Sequence, residues 1–211
     1  SKIPSFLPRD LRRTAKSQKY ELTHRDGNGE IFFGGALEYA AMQVCVSYRH
    51  GPTEWKGALP KSDRLALPRT VARLTGRQPL KMVMLGDSIS AGANASALYD
   101  ALPNQPAFPE LVRRHLAEQF HTTVEMKNLA VGGTDTAWGL KQVDAVVAEQ
   151  PHLVLLAFGM NDSAGRAPVS YGENTKAMIA AIREKRPECE FVLVASMLGN
   201  RDWIRLNHEA F

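Results

Sequence analysis

From residue 80 onward, short runs of consecutive apolar residues alternate with stretches whose apolar residues recur at helical spacing. Three of the runs are Met82–Leu85, Leu153–Phe158 and Phe191–Ala195, and their apolar character predicts strands buried on both faces. Thr122–Lys127 is a further predicted strand. Because strands and helices alternate with short connections, we predict an α/β domain whose parallel sheet is covered on both faces.

The spacing of apolar residues predicts three helices between these strands. A proline-rich loop leads into the first helix, and Pro109 is suited to its first turn. Ser170 and Glu173 form a Ser-x-x-Glu capping box that opens the third. The predicted inward positions are, in chain order, Leu111, Val112, Leu116 and Phe120; Leu140, Val143 and Val147; and Met178, Ala181 and Ile182.

The first sixty or so residues follow a different pattern. The turn signal Asp26–Gly29 precedes Ile31–Phe33 and Met42–Tyr48, which have the alternating, β-branched character of antiparallel strands. Glycines and prolines between residues 57 and 68 then indicate a linker. We therefore predict a small β-rich N-terminal region with its linker over residues 1–75 and an α/β domain over residues 76–211.

Composition and charge exclude several classes of function. The chain has 26 basic and 22 acidic residues, a net charge of +4, and no run of Lys and Arg interleaved with aromatics, so we expect no nucleic-acid partner. No apolar run approaches the roughly 20 residues that span a bilayer, so we expect no membrane partner. Cys45 and Cys189 form no C-x-x-C pair, which indicates neither a metal site nor a disulfide framework.

Polar residues follow the first buried strand directly. Gly86, Asp87 and Ser88 are turn and cap residues, so the chain leaves the sheet here and carries a serine hydroxyl at the edge where open α/β sheets bind ligands. Taken alone, the segment is equally typical of a helix cap. A Gly-x-Ser-x-Gly elbow is excluded because Ser90 stands where the second glycine should be, and Gly-Lys-Ser/Thr of a phosphate loop does not occur.

Two later segments supply partners for a serine nucleophile. Gly133 has no Cβ and would let a backbone N–H approach a reacting atom closely, and Asn161 could donate from its side-chain amide. An acyl-transfer enzyme needs several fixed donors for the developing oxyanion. The N–H groups of Ser88 and Gly133 and the Asn161 amide would form such an oxyanion hole.

These segments together resemble the sequence blocks of the SGNH (GDSL-type) hydrolase family. Gly86–Ile89 is similar to its first block, Asn128–Gly133 to its second and Gly159–Asp162 to its third, and they occur in the family's order. The resemblance covers roughly residues 80–196 and implies a flavodoxin-like three-layer α/β/α fold with serine-dependent hydrolysis of esters or thioesters, without metal or cofactor. It implies that Ser88 is the nucleophile, that Gly133 and Asn161 are oxyanion donors, and that Asp87, Asn128 and Asp162 fix the loops.

The wider sequence is similar to bacterial carbohydrate esterases that carry a β-rich domain ahead of the hydrolase domain. Such enzymes remove small acyl groups, often acetyl, from sugars, which implies a carbohydrate or other small-molecule ester as substrate. Trp138 could offer a stacking face to a sugar, but its helical spacing beside Leu140 favours packing. The segments that carry this likeness are Leu67–Thr70, Asn128–Thr134 with Trp138–Gly139, Phe158–Asp162 and Met197–Asn200.

The chain departs from the family at the general base. The family places a catalytic histidine in an Asp-x-x-His block near the C-terminus, and no aspartate of this chain has a histidine three residues later. His115 and His121 belong to or follow a helix, and His152 precedes a strand at the end opposite the site. His208 alone comes late enough, without the aspartate. We expect the histidine to come from a segment missing from this polypeptide or from a second chain.

This departure leaves two alternatives to a serine esterase. One is a non-catalytic carbohydrate-binding protein that keeps the hydrolase scaffold, and the other is a lipid esterase or thioesterase. The chain begins without Met and without an apolar leader, so we expect a soluble processed product or an expressed fragment. Its compartment, the bacterial cytoplasm or the outside of the cell, is not assigned by the sequence.

Overall fold

The computed structural model of the chain describes residues 18–20, 31–33, 49, 51, 63, 65–100, 103–163 and 168–197. In the N-terminal part, β1 (Gln18–Tyr20) pairs with β2 (Ile31–Phe33) in an antiparallel two-stranded sheet. The predicted strand at Ile31–Phe33 is thereby confirmed. The segment Met42–Tyr48 lies outside the described residues, and the domain boundary at residue 75 stays a prediction.

Four parallel strands form the central sheet of the α/β domain. They are β3 (Leu80–Gly86), β4 (Val124–Asn128), β5 (Leu153–Ala157) and β6 (Glu190–Leu193), arranged in the order β4-β3-β5-β6. The first strand of this domain is therefore central and its successors lie on either side of it, as in the doubly wound flavodoxin-like order. The predicted parallel α/β sheet is confirmed, with each strand boundary within a few residues of its predicted position.

Helices cover both faces of the sheet. Leu74 and the inward residues Val112 and Leu116 pack on one face, whereas Val146 and Met178 pack on the other. None of the helices in the described ranges has the length and apolarity needed to cross a membrane. The helices are α1 (Pro68–Thr75), α2 (Ser88–Ala91), α3 (Phe108–Phe120), α4 (Thr136–Leu140), α5 (Val143–Ala148), α6 (Met160–Ser163) and α7 (Pro168–Lys185), with a 3₁₀ turn at Ser96–Tyr99.

The side chains of β3 alternate between these two layers. Val83 and Leu85 join one buried cluster, and Met82 and Met84 join the other. A strand that contributes to both clusters must be apolar at every position, which is why its sequence is a continuous apolar run rather than an alternating one. The three-layer α/β/α architecture follows from this.

Two helix predictions were wrong. The single helix expected around Leu140, Val143 and Val147 is two helices, because the N–H groups of Lys141 and Gln142 bond three residues back and tighten the chain between α4 and α5. The capping box of Ser170 and Glu173 does not open α7, which already begins at Pro168. Proline suits the first helical position because its fixed φ is helical and its missing N–H would have no partner there.

Glu190 joins the last described strand to the first helix of the domain. Its carboxylate is buried and accepts from the backbone N–H of Arg69 at 2.9 Å and of Thr70 at 2.6 Å. These N–H groups belong to the first turn of α1, which has no acceptor of its own for them. A side chain 120 positions away therefore caps the helix.

The assignment of the buried layers can be tested by substituting two leucines that pair on adjacent strands. Leu156 of β5 is 3% exposed, and its register partner Leu193 of β6 is 55% exposed. We expect Leu156→Ala to lower the free energy of unfolding by about 2–5 kcal/mol, because it leaves a cavity in the core. Leu193→Ala is the control and should cost well under half as much in the same urea titration. Equal losses would contradict this assignment of the buried layers.

Candidate active site

Ser88 lies at the carboxyl edge of the sheet, just after the end of the central strand β3. β3 ends at Gly86, and Asp87 is the N-cap of the short helix α2, with its carboxylate accepting from the Ile89 N–H at 3.0 Å. Ser88 is the first residue of that helix and is partly exposed. The helix-cap alternative is thus realised by Asp87, while no described residue makes a hydrogen bond to the Ser88 hydroxyl.

Gly86 allows this loop to approach the next strand closely. A Cβ at this position would lie 2.6 Å from the Ala157 carbonyl oxygen and 2.6 Å from Ser90 Oγ. Contacts this short are not tolerated between real atoms, so the position requires glycine. Ser90 itself is 1% exposed, and its hydroxyl has no hydrogen-bond partner among the described residues.

The second predicted block is tied to the first by its asparagine. Asn128 Nδ2 donates to the Ser90 carbonyl at 2.8 Å, and Asn128 Oδ1 accepts from the Ala130 N–H at 3.0 Å. The Val131 N–H then donates to the Gly86 carbonyl at 3.1 Å. These bonds hold the loop after β4 against the loop after β3.

The two glycines of the second block lie beside Ser88. A Cβ at Gly132 would be 3.6 Å from Ser88 Cβ, so the backbone of this loop passes next to the candidate nucleophile. Gly133 follows with a φ of +77°, a left-handed conformation that glycine adopts without strain. Its N–H has no acceptor among the described residues.

Asn161 of the third block is fixed to the same loop. It lies in α6, directly after the end of β5, and its Nδ2 donates to the Thr134 carbonyl at 2.8 Å. The Thr134 hydroxyl is 3.3 Å from the Gly86 carbonyl and donates to the Val131 carbonyl at 2.7 Å. The loops that carry Ser88, Gly133 and Asn161 follow three separate strands and are joined by these hydrogen bonds.

A buried carboxylate anchors α6 to α4. Asp162 is 3% exposed and accepts from both the backbone N–H and the hydroxyl of Thr136, which is fully buried. Asn174 Nδ2 of α7 donates to the same hydroxyl at 3.2 Å. Sequence reasoning identified Asp162 but missed Thr136 and Asn174, which no motif marks.

Burial of the Asp87 carboxyl disfavours its ionised form. Desolvation is the largest cause that raises its pKa above the ordinary value of 3.8, and the nearby Asp162 carboxylate raises it further, against the lowering effect of the Ile89 N–H. Desolvation and Asp162 also raise the pKa of Tyr171. The base of the site thus contains two buried carboxyl side chains, Asp87 and Asp162.

A pocket of about 190 Å³ lies next to these groups. Asp87 and Ile89, the two chain neighbours of Ser88, both line it, as does Ser90, whose hydroxyl oxygen is itself buried. The remaining wall is largely apolar and is contributed by Phe108, Ala157, Phe158, Val194, Ala195, Ser196 and Met197.

The described histidines lie away from Ser88. His152 Nδ1 accepts from the Lys81 N–H at 2.9 Å at the opposite end of the sheet, where desolvation and then Arg73 lower the pKa of its ring. His115 lies in α3 and His121 ends it. His24, His50 and His208 lie outside the described residues.

Other predicted groups have ordinary surroundings. Trp138 packs against the buried cluster, as its spacing predicted. Cys189 is a free, buried thiol whose pKa is raised to about 11 by desolvation. Within the described ranges, no group of three or more His, Cys, Asp or Glu side chains could hold a metal ion.

Comparison with known proteins places these blocks in one family. The model of the GDSL-like lipase/acylhydrolase family matches residues 84–209, more than half of the chain. A two-domain esterase (CEX) active on acetylated mannans matches with a TM-score of 0.51 and 18% identity over 62% of this chain and 33% of its own, which shows a common fold.

Two further solved structures match at somewhat higher identity. TesA has a TM-score of 0.47 and 27% identity over 56% of this chain and 61% of its own. The lipase/acylhydrolase from Enterococcus faecalis has a TM-score of 0.48 and 26% identity over 61% of this chain and 63% of its own. The chain thus spans less than two thirds of each of these three proteins. Among curated proteins, no sequence matches.

The raised pKa of Asp87 predicts a pH-dependent stability. Because the folded state holds this proton more tightly than the unfolded state, the contribution of Asp87 to the stability of the folded state falls as the pH rises from 3.8 through the raised pKa. Asp87→Asn removes the titration and keeps an oxygen for the Ile89 N–H. We expect the free energy of unfolding of the variant, minus that of wild type, to increase with pH in urea titrations.

Glu118→Gln is the control for the loss of one carboxylate, since Glu118 is exposed in α3. A difference between Asp87→Asn and wild type that stays constant with pH would contradict the burial of this group.

Proposed function

The chain belongs to the GDSL-like lipase/acylhydrolase family, and we propose that it is a serine esterase that hydrolyses small acyl esters, in particular acetyl esters of carbohydrates. The observation that carries this proposal is the convergence of three loops on Ser88. The Gly132–Gly133 backbone passes beside the Ser88 side chain, and Asn161 is bonded to that same loop.

In this proposal, Ser88 Oγ attacks the acyl carbon and the alcohol leaves, so that the acyl group is transferred to the serine. Water then attacks the acyl-enzyme, releases the carboxylic acid and restores the hydroxyl. Both steps pass through a tetrahedral oxyanion. No cofactor or metal takes part in either step.

The donor groups around Ser88 suit such an oxyanion. The Ser88 N–H opens α2 and the Gly133 N–H lies in the loop, and neither has an acceptor among the described residues. A side-chain amide has two N–H groups, of which Asn161 uses one on Thr134, so the second remains for a ligand. Asp87, Asn128 and Asp162 then act by fixing the three loops.

The general base is proposed to be a histidine outside the described residues. His208 is the first candidate within the chain, and a further segment or a second chain is the other source. Without a base, a serine hydrolase keeps only about 10³–10⁴ of rate acceleration over water, from its oxyanion hole and binding. Turnover therefore reports directly on whether a base is supplied.

The pocket beside the loop favours a short acyl group. Its volume of about 190 Å³ is below the roughly 300–1,000 Å³ of sites for drug-sized ligands. Its apolar wall would contact a small alkyl group. The carbohydrate part of the substrate is proposed from the sequence likeness to carbohydrate esterases.

The missing Asp-x-x-His block favours one second candidate, a non-catalytic carbohydrate-binding protein on the same scaffold. Binding of an acetylated oligosaccharide without any release of acetate, in a chain that carries every encoded residue, would support it. A lipid esterase or thioesterase would instead hydrolyse long acyl chains faster than acetate.

Replacement of the proposed nucleophile tests the esterase directly. We expect Ser88→Ala to reduce the hydrolysis of p-nitrophenyl acetate to the background rate, because the attacking oxygen is removed. Ser170→Ala, an exposed serine in α7, is the control and should keep full activity. Equal rates well above background for wild type and Ser88→Ala would show that Ser88 is not the nucleophile.

The oxyanion role of Asn161 predicts a selective loss of rate. We expect Asn161→Ala to lower kcat by about 10²–10³ with a much smaller change in KM, because the donor acts on charge that develops in the transition state. Gln119→Ala removes an exposed side-chain amide from α3 and serves as the control. A loss confined to KM would assign Asn161 to substrate binding instead.

A further inference from the structure

The glycines that surround the site do not all have the same reason to be glycine. Gly86 is fixed by packing, since an added Cβ would meet backbone and side chain at 2.6 Å. Gly133 and Gly159 have φ values of +77° and +130°, which L side chains rarely adopt. Each of these three positions is therefore explained by the fold itself.

Neither close packing nor a positive φ explains why residue 132 is a glycine. Its φ is not positive, and an added Cβ would meet nothing closer than 3.6 Å, an ordinary van der Waals distance. The residue is also exposed. An alanine would therefore fit the backbone and its surroundings, so the fold does not account for the missing side chain.

The described atoms close to a Cβ added at residue 132 all belong to Ser88. Among the described residues, the atoms within 4 Å of an added Cβ are Ser88 Cβ at 3.6 Å and Ser88 Cα at 4.0 Å. Ser88 Oγ is a single bond from Ser88 Cβ and lies more than 4 Å from the added Cβ, so a methyl group on residue 132 would narrow the space next to the Ser88 side chain without touching its oxygen.

We infer that Gly132 keeps the space around the side chain of residue 88 open, and thereby determines how much branching next to the ester carbonyl the site accepts. The part about the ester rests on the proposed function. The carbonyl carbon must come within bonding distance of Ser88 Oγ, so the groups on its α-carbon are the first to meet a methyl at residue 132. The far end of a linear acyl chain is not affected in this way.

Two isomeric substrates separate branching from size. p-Nitrophenyl butyrate and p-nitrophenyl isobutyrate have the same atoms, and only the second is branched at the α-carbon. We expect Gly132→Ala to lower kcat/KM for isobutyrate about tenfold more than for butyrate, within the range that one misplaced methyl group causes in a pocket. An unchanged ratio of the two values would overturn the specificity role.

Gly172→Ala is the matched control for adding a methyl group to a glycine. Gly172 lies in α7, and a Cβ there would have no neighbour within 4 Å. Alanine is favoured over glycine in a helix, so this variant should fold and keep the wild-type ratio.

A thiol at residue 88 measures the same space without catalysis. In a Ser88→Cys, Cys45→Ser background, the thiolate displaces iodide from iodoacetamide or adds to the bulkier N-ethylmaleimide, and neither reaction needs the catalytic histidine. Cys189 interferes little, because it is buried and the pKa of its thiol is about 11. Adding Gly132→Ala should lower the N-ethylmaleimide rate constant about fivefold more than the iodoacetamide one.

The two experiments distinguish failure of this inference from failure of the proposed function. Selective slowing of N-ethylmaleimide, in a chain that carries every encoded residue but hydrolyses no ester, would leave Gly132 as the residue that controls this space and refute the esterase alone. Ser88-dependent hydrolysis, with both the ester ratio and the alkylation ratio unchanged by Gly132→Ala, would overturn the inference alone.

Discussion

The carbonyl oxygen of Gly86 lies where the central strand stops and the site begins. It accepts from the Val131 N–H at 3.1 Å, and the Thr134 hydroxyl lies 3.3 Å away. The Thr134 carbonyl in turn accepts from Asn161 at 2.8 Å. The end of β3 therefore fixes the loop that follows β4. That loop in turn fixes the side chain of Asn161, which follows β5. The Asn161 side chain, which is proposed to act on the oxyanion, is therefore held by a backbone group, which has little freedom to move.

The stability of the region beneath the site is limited by its acidic groups. Asp87 and Asp162 are both 3% exposed, and each is needed as an acceptor, Asp87 for the first turn of α2 and Asp162 for Thr136. Burial first, and then the nearby Asp162 carboxylate, raises the pKa of Asp87. The loops are thus ordered by interactions that also carry an electrostatic cost, as is common where function and stability compete.

Most of the architecture could be predicted because its causes are local in sequence. The continuous apolar run of β3 indicates a strand buried on both faces, and glycine or polar residues after β3 and β5 mark the loops of the site. The contacts that complete the site could not be predicted in this way. Thr136 meets Asp162, and Asn174 meets Thr136, only because three helices pack together, and neither residue has a spacing that signals it. The break between α4 and α5 likewise depends on packing that outweighs helical periodicity.

The cap that Glu190 provides for α1 also bears on the order of folding. The carboxylate comes from the last strand described and the N–H groups from the first helix of the domain, 120 residues apart for Thr70. A contact of such separation carries a large loop-closure entropy and forms only after most of the chain between its ends is ordered. During synthesis on the ribosome, α1 would emerge long before its cap. The first N–H groups of α1 would therefore be bonded to water until β6 joins the sheet.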